Sequence, residues 1–299
     1  MRPRHRCGEV HSCCADQHRQ TIPPRKPSRR HSAFQPLQPI GKKLRYAFLL
    51  PINWRMRNIR IHVDIPLSID TELALPAQAA EHVTRVLRQV AGDPLSLFNG
   101  DGCEYAASIL SVGKREVTVR ISSSQALTNE SPLKLTLAQG VARGEKMDLI
   151  VQKATELGVA CIVPLLTERS EVKLDASRAE KRLAHWRAVA ASACEQSGRA
   201  TLPQIVPALP LSAWLAGLGQ DGALRLALLP EARHSSRELQ FRDAGGLLVV
   251  GPEGGLGERD IAALSAAGFQ GLRLGPRILR TETAGLAALA ALQALHGDG

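Results

Sequence analysis

Two segments near the C-terminus combine glycine with charged residues in a pattern suited to ligand binding. They are Gly251–Gly257 (GPEGGLG) and Leu274–Thr283 (LGPRILRTET). Glycine lets the backbone approach a ligand closely, but the first segment lacks the G-x-G-x-x-G spacing of a dinucleotide site, and no GKS or GKT follows to form a P-loop. Glu253 would also repel a pyrophosphate within the loop. The pattern therefore favours a cofactor that has no phosphate and carries a positive group such as a sulfonium.

The second segment is denser in functional residue types. Pro276 fixes a turn, Arg277 and Arg280 stand three residues apart, and Thr281 or Thr283 is suited to cap the helix that follows. The plainer interpretation of both segments is a strand–turn–helix connection with solvated arginines. Two such segments in succession favour function, because loops carry function when a sheet positions them.

Strands and helices alternate along residues 133–299, which predicts an α/β fold with a mainly parallel sheet covered by helices. The predicted strands are Leu133–Leu137, Cys161–Leu166, Leu224–Leu229, Leu247–Val250 and Gly271–Leu274. The predicted helices are Glu145–Leu157, Arg178–Gln196, Glu258–Ala267 and Glu282–Leu295. Ligands of such sheets bind beyond the carboxyl ends of the strands. Three predicted strands end in unusual sequence there, at Leu229-Pro230 and at the two segments above.

Residues 56–125 have the pattern of a small β-barrel with one helix, Ala77–Val90. Its predicted strands are Ile59–Val63, Leu95–Phe98, Tyr105–Leu110 and Glu116–Ile121. Asn99-Gly100-Asp101-Gly102 is a strong hairpin signal between two of them. A polar stretch, Ser122–Pro132, follows, within which residues 126–132 are predicted to link the two domains.

The net charge of +10 is confined to the N-terminal segment. Residues 1–55 carry 12 Lys/Arg and 2 Asp/Glu, so residues 56–299 are neutral overall and any RNA site in them must be a local patch. The segment lacks apolar periodicity and is predicted to be disordered. It is also compatible with an organelle transit peptide, but the preferred interpretation is that Met56 is the true start.

The cysteines suggest neither a disulfide framework nor a metal centre. Three of the six lie in residues 1–55 and the others, Cys103, Cys161 and Cys194, are scattered singly, which suits a reducing cytoplasm. The His and Cys residues before residue 19 match no paired ligand spacing, so no metal site is predicted. The sequence contains no run of about 20 apolar residues, so no membrane span is predicted.

Three basic residues recur at helical spacing near the start of the α/β domain. Arg143, Lys146 and Lys153 stand three and seven residues apart and would share one helix face able to contact phosphates. The alternative is a solvated face neutralised by Glu145 and Glu156.

Residues 56–296 resemble the RsmE-type 16S rRNA uridine N3-methyltransferases of the SPOUT superfamily. The resemblance rests on His82–Arg88 (HVTRVLR), Gly144–Met147 (GEKM), Gln152–Gly158 (QKATELG), Ala193–Arg199 (ACEQSGR), Gly251–Leu256 (GPEGGL) and Leu274–Thr283 (LGPRILRTET). The last two motifs together are highly specific. Residues 1–55 lie outside the resemblance.

The resemblance implies a SPOUT domain with a C-terminal trefoil knot, an exception to the rule against threaded chains, preceded by a PUA-like barrel that helps hold RNA. S-adenosylmethionine (SAM) would bind in the knot, and the enzyme would act as a homodimer on one uridine in the decoding region of small-subunit rRNA. The residues implied to line the SAM site are Leu229, Pro230, Gly251, Pro252, Gly254, Gly255, Leu274, Gly275, Leu279, Thr281 and Thr283.

Methylation of uridine N3 requires that a weakly acidic proton leave. Arg280 is the candidate for stabilising the developing negative charge, and Glu253 is the candidate base or sulfonium partner. Arg60, Arg85 and Arg88 would extend the RNA surface over the barrel, and Arg199 is either a helix C-terminal partner or an RNA contact.

Two other functional classes fit the sequence less well than a methyltransferase. A Rossmann-type oxidoreductase needs a dinucleotide fingerprint that the chain lacks. A ribosome-binding protein without activity needs no cofactor loop, whereas this chain has two candidate loops.

Overall fold

A computed structural model describes residues 59–113, 116–172, 175–220, 222–232, 234–241 and 245–298. The predictions for residues 1–55 and for a start at Met56 concern positions that lie outside the described residues. Within the described ranges, no helix is both long enough and apolar enough to cross a membrane.

The first part of the described chain forms a five-stranded sheet around an apolar core. Across the sheet its strands are β1 (Arg60–His62), β3 (Pro94–Phe98), β4 (Cys103–Val112), β5 (Val117–Ala126) and β2 (Glu72–Ala74). Strands β1 and β3 are parallel and the other pairs are antiparallel. Ile61, Leu97 and Val119 are almost fully buried in its core. Because β1 and β2 stand at opposite ends of this order, the sheet is an open, half-closed barrel.

The helix predicted over Ala77–Val90 is wrong in its second half. An α-helix, α1 (Ala77–Glu81), passes directly into a π-helix, His82–Val86. The chain leaves the helix at Arg88, which has a left-handed φ of 54°. Val86 and Val90 are 65% and 61% exposed.

The second sheet has eight strands, and every pair in it is parallel, as predicted. Its order is β11 (His234–Ser235), β13 (Gln270–Arg273), β10 (Leu224–Leu228), β12 (Gly246–Val250), β6 (Leu135–Gly140), β7 (Cys161–Leu166) and β8 (Gln204–Ile205), with β9 (Leu209–Pro210) also paired to β7. The five strands predicted in this domain all exist, with ends shifted by up to three residues. The two-residue strands were not predicted.

Helices cover both faces of this sheet. One face carries α2 (Glu145–Glu156), α3 (Ala176–Ser197) and α6 (Thr281–His296), and the other carries α4 (Leu211–Ala216) and α5 (Glu258–Ala266). Successive residues of β6 serve the two layers, since Leu137 packs in the first and Ala138 in the second. Helical spacing predicts an apolar face of Met147, Ile150, Val151, Ala154 and Leu157 on this helix. The first four are fully buried, and Leu157, just past the end of α2, is half-buried.

Arg60 fastens the barrel to the α/β domain. Its Nε donates to Glu104 Oε1 at 2.6 Å, and its other nitrogens donate to the backbone oxygens of Cys194 at 2.6 Å and Arg199 at 3.2 Å. Its guanidinium also lies 4.7 Å from the ring centroid of Phe98. The side chain is only 10% exposed. The structure therefore contradicts the predicted RNA contact of Arg60, because its donors are already used inside the protein.

Arg199 is likewise an internal residue, 5% exposed. Its guanidinium forms a two-pronged pair with Glu130 at 3.0 and 2.7 Å. Its remaining nitrogen donates to the backbone oxygens of Thr155 at 2.7 Å and Val159 at 3.1 Å, at the C-terminal end of α2. Of the two predicted roles, RNA contact is contradicted. The other role, partner to the end of α3, is wrong as well, because the guanidinium binds carbonyls at the end of α2.

The polar stretch between the domains is more ordered than a linker. Strand β5 continues through its first residues to Ala126. Beyond it, the Asn129 side chain donates to the backbone oxygen of Gly198 at 2.8 Å, and Ser131 Oγ donates to Gln293 Oε1 at 2.7 Å. These contacts, with the Glu130–Arg199 pair, dock the predicted linker on the α/β domain.

Candidate active site

A cavity of about 640 Å³ opens at the carboxyl ends of three adjacent strands, β10, β12 and β13. The segments that follow these strands form its walls, so the structure brings together the three strand ends singled out in the sequence. Ten of the eleven residues predicted to bind a cofactor line it: Leu229, Pro230, Gly251, Pro252, Gly254, Gly255, Leu274, Gly275, Leu279 and Thr281.

Thr283, the eleventh, lines a neighbouring cavity of about 570 Å³ instead. It lies two residues into α6 beyond Thr281, and this difference in helical position turns it away from the first cavity. Neither threonine caps α6, whose N-cap is Arg280 and has no side-chain hydrogen bond. Thr281 Oγ1 instead donates to the backbone oxygen of Gly251 at 2.6 Å, because the loop after β12 lies beside the start of the helix.

The glycines of the loop after β12 are required for different reasons. A Cβ on Gly251 would lie 2.7 Å from the backbone of Gly255, because the loop doubles back on itself. A Cβ on Gly254 would lie 3.1 Å from the side chain of Arg169. Gly255 and Gly275 have positive φ values of 71° and 116° and no atom within 4 Å of their added Cβ. Close approach of a ligand to bare backbone is therefore open at the last two, whereas protein fills the space at the first two.

Two residues of this region were missed in the sequence. Arg169 follows β7, lines the cavity and donates to the backbone oxygen of Gly254 at 3.1 Å. Applying the strand-end rule to β7 as well would have found it. Gln139 is fully buried near the end of β6 and contacts Gly251 and Thr281. An amide inside an apolar strand was its signal.

Glu253 stands in the cavity wall with its carboxylate already engaged. Its Oε1 accepts hydrogen bonds from the backbone N–H of Arg143 at 3.0 Å and from Lys146 Nζ at 3.3 Å. Burial alone would raise the pKa of Glu253, but these hydrogen bonds, one from its own backbone and the charge of Lys146 together lower it. A carboxylate with a lowered pKa is a poor proton acceptor, which disfavours the predicted role of base.

Glu282 is a second carboxylate beside the same lysine. Its Oε2 lies 3.9 Å from Lys146 Nζ, is buried, and has no hydrogen-bond partner in the described part of the chain. Glu231 and Glu258 also line the cavity, so four glutamates surround it. Across the described ranges, no group of three or more His, Cys, Asp or Glu residues is placed to hold a metal ion.

Three arginines, one at the end of β13 and two in the segment that follows it, stand at the cavity rim. Arg273, Arg277 and Arg280 are all exposed and line the cavity. None of them forms an ion pair with a described residue, whereas Arg169 binds a backbone oxygen and Lys146 lies between two carboxylates. Three guanidinium groups are thus available to a ligand at the mouth of the cavity.

The basic residues predicted to form one helix face do not do so. Arg143 precedes the helix, separated from it by Gly144 with a φ of 55°, and pairs with Glu171. Lys146 faces the cavity and Lys153 pairs with Glu156 at 2.8 Å.

The other two arginines of the barrel predicted to contact RNA, Arg85 and Arg88, are both exposed. Arg85 pairs with Glu81, and Arg88 follows the π-helix. Their contact with RNA stays a prediction.

Comparisons with protein families agree on both parts of the chain. A family model described as "RNA methyltransferase domain" matches residues 129–293, and one described as "RNA methyltransferase PUA domain" matches residues 75–122.

Similar proteins cover nearly the whole described chain. The ribosomal RNA small subunit methyltransferase E of Buchnera aphidicola is 32% identical over 239 residues, which are 80% of this chain and 97% of the relative. A Legionella pneumophila methyltransferase solved with bound SAM is 42% identical, with a TM-score of 0.79, over 81% of this chain and 100% of that one. The ribosomal RNA small subunit methyltransferase E of Neisseria gonorrhoeae, solved with S-adenosyl methionine, is 37% identical, with a TM-score of 0.77, over 81% and 99%.

Proposed function

The chain belongs to the family of ribosomal RNA small subunit methyltransferase E, and on that premise we propose that it transfers a methyl group from SAM to N3 of one uridine in 16S rRNA. The observation that carries this proposal is the cavity at the ends of β10, β12 and β13, where backbone, carboxylates and unpaired arginines meet. The names of the relatives, and the SAM bound to two similar structures, support the choice of cofactor and of rRNA.

The residues of the cavity fit SAM. Its volume of about 640 Å³ lies within the range of roughly 300–1,000 Å³ typical of small-molecule sites. The four glutamates around it favour the positive sulfonium and ammonium groups of SAM. When bound, SAM supplies an electrophilic methyl group.

The methyl transfer needs one proton to leave the uracil ring. N3 would lose its proton to solvent at the open mouth of the cavity and would accept the methyl group that SAM supplies, which leaves S-adenosylhomocysteine as the second product. Arg280 at the cavity rim stabilises the negative charge that develops on the uracil. Glu253 carries a lowered pKa and holds Lys146, so we assign it to the positive cofactor rather than to the proton.

We propose that RNA phosphates bind the arginines of the rim, Arg273 and Arg277 together with Arg280. Unpaired guanidinium groups bind phosphate without first breaking an internal ion pair. The double variant Arg273→Ala/Arg277→Ala should weaken rRNA binding and flatten its salt dependence, because fewer counterions are released. As the matched control, Arg143→Ala/Lys153→Ala removes two basic residues that already have acidic partners and should change the salt slope less. An equal change in both variants would contradict the choice of the rim.

The proposal also covers the oligomeric state and the cellular location of the protein. We propose a homodimer whose second copy packs against α6, where Thr283, Ala287 and Ala291 form a row of small residues along one groove. The trefoil knot implied by the resemblance and a cytoplasmic location, where the rRNA substrate is made, stay predictions. Sedimentation velocity of the full chain tests the dimer, and a monomer at micromolar concentration would contradict it.

The decisive experiment is mass spectrometry of rRNA nucleosides. Small-subunit rRNA lacking the modification is incubated with the full chain and SAM, and 3-methyluridine should appear only when both are present. Calorimetry with SAM alone separates a methyltransferase from an RNA-binding protein without activity. If the chain binds SAM but produces no 3-methyluridine, it is still a methyltransferase, but N3 of uridine is not the atom that it methylates.

A further inference from the structure

Gln139 places an amide group in the interior of the α/β domain. It belongs to β6, an inner strand of the sheet, and is 0% exposed between apolar neighbours such as Leu137 and Ala138. Burying an amide there is unfavourable unless its polar atoms find partners. The contacts of this side chain therefore indicate what it is retained for.

The Gln139 amide nitrogen joins three elements of the structure. Its Nε2 lies 2.9 Å from Thr281 Oγ1, 3.0 Å from the backbone oxygen of Gly140 and 3.4 Å from that of Gly251. Thr281 Oγ1 in turn donates to the Gly251 oxygen at 2.6 Å. A chain of hydrogen bonds thus runs from β6 through the first residue of α6 to the loop after β12.

The residues that Gln139 reaches through these hydrogen bonds form part of the cavity wall, whereas Gln139 itself does not. Gly251 and Thr281 both line the cavity. The packing around these two residues is tight. A Cβ on Gly140 would lie 2.5 Å from Pro252, and a Cβ on Gly285 would lie 3.3 Å from Gln139 Oε1. A shift of the amide would therefore be passed on to the wall.

The other half of the amide has no partner. Gln139 Oε1 is buried and accepts no hydrogen bond from any described residue. A half-satisfied amide adds little net stability, because the orphaned oxygen offsets the bonds made by the nitrogen. We therefore infer that glutamine is retained at this position because it holds the cavity wall in place, and not because it stabilises the fold.

We propose that Gln139 is a positioning residue of the cofactor site, which sets the distance between the loop after β12 and the start of α6. The proposal rests on the proposed function in that SAM is the molecule held between these walls. It concerns no contact between Gln139 and SAM.

The test replaces the amide with an apolar group of similar volume, Gln139→Met. We expect the Kd for SAM to rise by about tenfold or more, in line with the typical effect of residues that orient ligand-binding groups. KM for SAM should rise with it, while kcat at saturating SAM changes less. The melting temperature should fall by only a few degrees, since the lost nitrogen bonds and the removed orphan oxygen offset each other.

Gln293→Met is the matched control for general destabilisation. Gln293 is also a buried glutamine and belongs to α6 itself, but its bonds run to Ser131 and to the backbone of Leu157, away from the cavity. This variant should lose stability and keep the wild-type Kd for SAM. Equal weakening of SAM binding by both variants would overturn the proposal, as would a wild-type Kd in Gln139→Met.

Thr281 supplies the second half of the test. Thr281→Val removes the hydroxyl that relays the hydrogen bond and should weaken SAM binding, while Thr281→Ser keeps the hydroxyl and should restore it. The double variant Gln139→Met/Thr281→Val should be no worse than the poorer single variant, because both break one chain. Fully additive effects would overturn the proposal. Failure of the wild-type chain to bind SAM would instead refute the proposed function.

Discussion

The buried pair between Arg199 and Glu130 permits a quantitative prediction. Arg199→Met keeps the aliphatic stem but removes four hydrogen bonds, two to Glu130 and two to the backbone oxygens of Thr155 and Val159. The arginine side chain is 6% exposed and the glutamate 22%. Removing one partner of a buried pair typically costs about 3–5 kcal/mol. Since the glutamate keeps some access to water, we expect a loss near the lower end of that range, about 3 kcal/mol in the free energy of unfolding.

The loss should appear as a fall in melting temperature of about 10 °C, taking roughly 2–4 °C per kcal/mol for a unit of this size. Urea unfolding and a thermal scan of the full chain measure it. Arg120→Met is the control, because Arg120 pairs with Glu72 in the open, with side chains 58% and 50% exposed. An exposed pair contributes about 0–1 kcal/mol, so this variant should melt close to the wild type.

Two results would refute this reasoning. One is a loss below about 1 kcal/mol in Arg199→Met, which would mean that the pair is no stronger than a surface pair. The other is a stable variant that binds rRNA poorly, which would restore the RNA contact predicted from the sequence. The double variant with Glu130→Met should recover part of the loss, because no unpaired charge then stays buried.

Three further outcomes are expected. Arg280→Ala should slow single-turnover methylation by about a hundredfold or more with SAM affinity nearly unchanged, and Arg280→Lys should recover only part of the rate; a wild-type rate in the alanine variant would make Arg280 merely structural. Gly254→Val should push against Arg169, 3.1 Å from the new Cβ, and weaken SAM binding measured by calorimetry while the fold persists; normal binding would mean that the loop is only a turn. Burial raises the pKa of Glu195 above its ordinary 4.5, against a backbone hydrogen bond and nearby positive charges. Its contribution to stability is therefore present below pH 4.5 and lost as pH rises through the folded-state pKa, so Glu195→Gln should melt above the wild type at pH 7 and level with it at pH 4.

The sequence was sufficient to predict the elements that carry periodic apolar residues. Cys161–Leu166 was predicted to the residue, and four of the five residues predicted on the apolar face of α2 are fully buried, whereas Leu157 is half-buried beyond its end. The three strand ends also met as expected, since the carboxyl ends of neighbouring parallel strands share one edge of the sheet. A two-residue strand such as His234–Ser235 has no periodicity to read, so it could not be predicted.

The arginines show where reading by residue type fails. Arg60 was predicted to contact RNA, and Arg199 either RNA or a helix end. Their partners, Glu104 and Glu130 among them, are distant in sequence and become neighbours only in the fold. A guanidinium suits a buried carboxylate as well as a phosphate. Gln139 was missed for a different reason, since its strand was predicted to end at Leu137, whereas β6 continues to Gly140.

The place of β13 in the sheet has a consequence for biosynthesis. It lies between β10 and β11, although it follows both along the chain, and α6 comes after it. Emerging chain up to residue 269 therefore contains two walls of the cavity but not the third, and cannot yet hold SAM. Insertion of a late strand between earlier ones is a non-local step and is expected to be slow. A product that terminates before β13 would expose the edges of β10 and β11, a form prone to aggregation. Cofactor binding is thus expected only of chains whose synthesis has reached the final helix.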